Sequence, residues 1–128
     1  MTKIEMVNRW RQSAGKNLVI AGEMIVSKHY DWALFFGQLA LEKLLKGLIL
    51  KKSGIPALPI HDLVKLTKLA DLVTNKEQQQ ELIEISRFHI QARYDEIKYE
   101  LYKQATKEYS SKWMKIIKGY GLWLQKQY

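Results

Sequence analysis

At 128 residues the chain is one domain's worth of sequence, long enough to bury a core. Its 47% hydrophobic and 27% charged residues exclude a disordered chain, and the absence of cysteine excludes disulfides and thiolate metal sites and fits a reducing compartment. The net charge of +8 points to acidic partners (nucleic acid, nucleotides or an acidic protein) or else to a well-solvated basic surface.

Arg9, Arg11, Lys16 and Glu23 interrupt every apolar run in residues 1–28, so no signal-peptide core exists there. The most apolar stretch, Trp32 to Leu50, carries Gln38, Glu42, Lys43 and Lys46, which a membrane span tolerates poorly. A cytoplasmic single domain over 1–128 is expected. No alternating strand pattern, internal repeat or low-complexity segment occurs, and helical spacing runs almost throughout.

Helix one is predicted over Thr2 to Lys28, where Ile4, Val7, Trp10, Ala14, Leu18, Ala21 and Ile25 form one stripe. Arg9, Gln12, Lys16 and Glu23 fall opposite, and Arg11 lies at the stripe's edge, where a long stem can snorkel. Helix two runs from Asp31, a plausible N-cap, to Lys52, with Gly54 as its stop and Pro56 and Pro59 beyond. It is apolar nearly all round, so it belongs at the centre of a bundle. Its main polar stripe is Gln38, Glu42 and Lys46, read first as solvated surface and otherwise as a polar seam at a dimer interface or ligand cleft.

Helix three spans Asp62 to Val73, packs through Leu63, Leu66, Leu69 and Ala70, and can be capped by Asp62. Helix four begins near Asn75, which has capping-box spacing to Gln78, and reaches Ile90 or Tyr94 with Leu82, Ile83, Ile85 and Phe88 on its apolar side. Asp95 to Gln104 reads equally as a loop or as the start of the last helix. Helix five runs from Ala105 to Lys126, with Tyr109, Trp113, Ile116, Ile117, Tyr120, Trp123 and Leu124 on one face. Lys107, Lys112, Lys115, Lys118 and Lys126 lie on the other, either as a footprint for phosphates or as an outer face. That face has no arginine, which argues against base readout and bidentate phosphate gripping. The expected fold is an all-α, up-and-down bundle of about five helices, four long or medium and one short.

No Gly-rich phosphate loop, His-Glu-x-x-His motif or His/carboxylate ladder at metal spacing is present, so neither a cofactor nor a metal site is expected. The chemistry-bearing cluster is Arg87, His89, Arg93, Tyr94 and Asp95. On a helix His89 and Arg93 share a face; a histidine can move a proton near neutral pH and an arginine can grip a phosphate. The alternative is a helix end whose side chains bond nearby carbonyls or Asp95. His61, beside the cap residue Asp62, is a second candidate, with a structural role in the entry turn as its alternative. Lys43 is a third, because it sits in an otherwise apolar sector with Trp32, Phe36 and Leu50; snorkelling would also place it there.

Three segments resemble the HEPN domain. The run Gln38-Leu39-Ala40-Leu41-Glu42-Lys43-Leu44-Leu45-Lys46-Gly47, preceded by Ala33 and Phe36, resembles that family's second helix. His61-Asp62-Leu63 resembles the opening of its short third helix, and Ala92-Arg93-Tyr94 resembles a segment after helix four in its small prokaryotic branch. The resemblance implies a helical bundle that homodimerises and a partner that is a minimal nucleotidyltransferase, often in a toxin–antitoxin pair. Many members are metal-independent ribonucleases with an arginine followed, four to six residues on, by a histidine. That motif is absent: His29 is too far from Arg9 and Arg11, His89 is too near Arg87, and no histidine follows Arg93.

Three functions therefore stand. One is a binding module for nucleotide or nucleic-acid phosphate, contacting it through Arg87, His89, Arg93 and Tyr94 with His61 and Lys43 behind them. Another is a ribonuclease with His89 and Arg93 as an unorthodox pair. The third is a structural helical adaptor.

Overall fold

The computed structural model describes residues 1–56, 58–93 and 95–128, with only the backbone described for 90–93 and 97. Among these residues there are six helices and no strand: α1 (Lys3–Val26), α2 (Tyr30–Ser53), α3 (Leu63–Leu69), α4 (Lys76–Arg93), α5 (Asp95–Gln104) and α6 (Lys107–Gln125). The segment left open between loop and helix is thus a helix of its own, and its Leu101 is buried.

Local chemistry sets most boundaries. Thr2 accepts the Glu5 N–H at 3.1 Å and starts α1. Asp31 does not cap α2: His29 holds the cap position without a side-chain bond, and Asp31 lies in the first turn, where a negative charge suits the helix dipole. Gly54 ends α2 at φ 73°, a left-handed conformation that costs glycine little, and its N–H donates to the Leu50 carbonyl. Asp62 caps α3 by accepting from Val64 and Lys65 at 2.9 and 3.3 Å, but α3 stops at Leu69, short of Val73. Asn75 and Gln78 form the reciprocal capping box, each side chain accepting the other's N–H, at 2.9 and 2.8 Å. Thr106 starts α6 by accepting from Tyr109 N–H.

α2 is the axis of the bundle. It packs against α1 along most of its length and also meets α6, α4, α3 and α5. Its Leu34, Leu41, Leu44, Leu45 and Leu48 are fully buried, each worth about 1.5–3 kcal/mol before conformational entropy is charged against it. Close approach is built in at Gly47, where an added Cβ would lie 2.5 Å from Tyr128 Oη and 2.8 Å from Trp10 Cβ. Arg11 is more than a snorkelling stem. Its Nε and Nη2 donate to Gln125 Oε1 at 3.1 and 3.0 Å and its guanidinium lies 4.6 Å from the centre of the Tyr128 ring, joining α1 to the end of α6. Ile4, Leu69 and Ile83, assigned to packing faces by spacing, are exposed.

Candidate functional site

The polar stripe of α2 faces inward. Gln38, Glu42 and Lys46 are 0%, 5% and 8% exposed, which corrects their reading as solvated surface. A helix apolar on every other side has no outer face on which to place them. Glu42 is the hub: its Oε1 accepts from Gln38 Nε2 at 3.1 Å and lies 3.0 Å from His61 Nδ1, while its Oε2 meets Lys46 Nζ at 3.0 Å. Burial alone would raise the Glu42 carboxyl. The hydrogen bonds from Gln38, Lys46 and His61, with the charge of Lys46, outweigh it and hold the group below its usual range. A carboxylate in that form only accepts, so the contact is a hydrogen bond in the tautomer with the His61 proton on Nδ1.

His61 is positioned by the loop into α3. Asp62 caps that helix, and the Leu63 N–H donates to Ser86 Oγ of α4 at 2.9 Å. The His61 carbonyl accepts from Gln38 at 3.4 Å. His89 of α4 stacks on the His61 ring with centroids 4.0 Å apart and a 21° tilt, and Phe35 of α2 stacks behind it at 5.9 Å. His89 is buried, whereas the His61 side chain keeps 33% of its surface and forms the cluster's opening to solvent. Glu42, His61 and His89 each offer one ligand atom within 4.8 Å of the others. This group does not appear at any sequence spacing; only the packing of α2, the α3 entry loop and α4 creates it.

The other candidates separate from this cluster. Arg87 is on an exposed part of α4 and pairs with Glu84 of its own helix. The Arg93 side chain and Tyr94 lie outside the described residues. Lys43 faces α1, where its Nζ donates to Ser13 Oγ at 2.7 Å, and burial lowers its pKa. Ser13 lines a cleft of about 690 Å³ between the start of α1 and the end of α2, together with Arg9, Trp10, Gln12, Lys16 and Leu50. Among the described residues no carboxylate lines that cleft. Among the described residues none lies within 4.0 Å of the charged nitrogens of Arg9, Lys16 or Lys43. Arg9 and Lys16 were assigned correctly to the outer face of α1, but the wall they share with Leu50 and Pro56 is not visible from α1 alone.

Taken together, the central helix with its inward Gln-Glu-Lys stripe and the short third helix opened by His61 define a small all-helical domain of the HEPN type. The chain belongs to the HEPN domain family, whose model matches residues 7–124. It is similar to TT1696 from Thermus thermophilus, known from a crystal structure, with a TM-score of 0.79 and 21% identity over 95% of this chain and 98% of that one. At that identity the likeness speaks for the fold alone. Nothing among the curated proteins matches the chain. Among the described residues no helix is long and apolar enough to cross a membrane.

Proposed function

We propose that this HEPN domain is a binding module for the phosphates of a nucleotide or nucleic acid. The observation that carries the reading is the cleft at Trp10. Arg9 and Lys16 line it and Lys43 bonds to Ser13 in its wall; among the described residues no carboxylate lies within 4.0 Å of the charged nitrogens of these three, and an indole offers a surface for a base. The lysines of α6, all exposed, and the overall charge of +8 add a field that draws phosphates in. Family membership supports a homodimer and a minimal nucleotidyltransferase partner, in the manner of a toxin–antitoxin pair. Size-exclusion chromatography with light scattering tests the dimer, and co-purification with the partner tests the pairing.

Fluorescence anisotropy with a labelled oligoribonucleotide and with ATP, repeated over a salt series, tests the binding. The logarithm of the affinity is expected to fall linearly with the logarithm of salt concentration. Arg9→Ala/Lys16→Ala is expected to reduce the slope for single-stranded RNA by about 0.7 per cation removed. Unchanged affinity and slope in that variant would overturn the reading and leave a structural adaptor. The ribonuclease reading keeps one supporting feature, the His61–His89 pair beside an ionised carboxylate. RNA cleavage in EDTA that disappears in His89→Ala would replace binding by catalysis.

A further inference from the structure

The geometry points to Glu42, His61 and His89 as a site for one zinc-class divalent ion at the junction of α2, the α3 entry loop and α4. Two observations converge on it. The donors are two imidazoles and a carboxylate, a set suited to zinc and its borderline neighbours, whereas magnesium and calcium prefer oxygen alone. They come from three separate parts of the chain, so the fold itself must be in place to assemble them, as in a structural or catalytic metal centre.

The distances allow it. His61 Nδ1 and Glu42 Oε1 are 3.0 Å apart, and an ion about 2.0–2.1 Å from each fits between them in place of the proton they now share. His89 must turn from its stacked position until one ring nitrogen faces the ion. Its ligand atom already lies within 4.8 Å of those of Glu42 and His61. The second Glu42 oxygen would stay on Lys46, the kind of outer hydrogen bond that orients a ligating carboxylate. Gln38 Oε1, fully buried beside Glu42, has no donor among the described residues, and a water carried by the ion is a donor of the kind it lacks. The Lys46 charge opposes the ion, and the two imidazoles must outweigh that repulsion. Partial exposure of His61 provides the entry path.

Cobalt(II) titration of the metal-stripped, full-length protein tests this through its visible d–d absorption, followed by competition with zinc. One equivalent should bind with the intense band of a four- or five-coordinate site, and zinc should abolish it. His61→Ala and His89→Gln should each weaken binding about tenfold or more, since even outer partners of metal ligands cost that much. His29→Ala, at an exposed position outside the group, should leave it unchanged. Circular dichroism confirms that each variant is folded. No band, or a band that persists in both folded His61→Ala and His89→Gln, would overturn the assignment. The readout needs neither RNA nor nucleotide, so it stands or falls apart from the phosphate-binding reading.

Discussion

Glu42 and Lys43 are consecutive residues of α2 and have opposite fates. Glu42 turns toward α3 and α4 and is enclosed by Gln38, Lys46 and His61, so its charge is answered from several sides. Lys43 turns toward α1, where its Nζ meets the Ser13 hydroxyl in the wall of a cleft lined by Arg9 and Lys16, and the charge of Glu42 reaches it without a direct ion pair. Direct pairing goes with burial on the first face; on the second, cations without a direct ion pair among the described residues go with an opening. A buried charge survives in a folded protein only when it is paired, whereas an unpaired cation next to a cleft is poised for an anion that arrives from outside.

The largest effect should come from breaking the first face. Glu42→Ala leaves Lys46 buried with no carboxylate and removes the partner of His61. It is expected to cost about 3–5 kcal/mol, read as a lower urea midpoint with little change in slope. Replacing the pair together, as Glu42→Leu/Lys46→Met, should recover a large part of that loss, because apolar side chains of similar volume need no partner. A double variant as unstable as the single one would show that Gln38 and His61, not Lys46, are what Glu42 satisfies. Acid should act on the same group. Its native carboxyl binds a proton less readily than the unfolded one, so its contribution is complete above the unfolded value of about 4.3 and is lost as pH falls through the lower native value. Urea midpoints between neutral and acid pH measure that loss, and Glu42→Gln should flatten its share of it.

Gly47→Ala comes next, because it acts on the floor of the second face. The new methyl would press on Trp10 Cβ and Tyr128 Oη, and overpacking of this kind costs about 1–3 kcal/mol. Trp10 lines the cleft, so the substitution should also weaken nucleotide affinity. A stable variant with normal binding would show that Trp10 can shift without consequence. Asp62→Ala should cost about 1 kcal/mol as a lost helix cap. It leaves the polar bonds of Glu42 intact, so a larger loss would mean that the cap also holds His61 in place.

Local features of this fold were legible in the sequence. Gly54, Asp62 and the Asn75–Gln78 box each act within a few positions of themselves, and each does what its residue type suggests. Asp31 failed as a cap because His29 occupies that position, two residues earlier than the hydrophobic pattern indicates. The all-round apolar character of α2 located it at the centre, and the same fact held a clue to the site: a polar stripe on a central helix must be inside. Charged stripes are usually wet, and that general habit outweighed the particular one. The meeting of Glu42 with His61, 19 positions away, and with His89 on another helix depends on how α3 and α4 dock, which periodicity does not encode. Arg87 and His89 were grouped by proximity in sequence, yet two positions on a helix point about 200° apart, so one faces solvent and the other the core.

The smallest expected change in stability separates the two faces most cleanly. Lys43→Met removes one hydrogen bond to Ser13 and at the same time removes the cost of desolvating an ammonium group. These effects oppose each other, so the stability change should stay within about 1 kcal/mol, against several for Glu42 one residue earlier. If Lys43 serves phosphate, its loss should instead appear in binding, as weaker nucleotide affinity and a shallower salt dependence in the anisotropy titration. If Lys43 is only a snorkelling stem, the methionine variant should bind as tightly as the parent and be no less stable. A large loss of stability with unaltered binding would contradict both descriptions and place Lys43 with Glu42 among the groups that hold the bundle together.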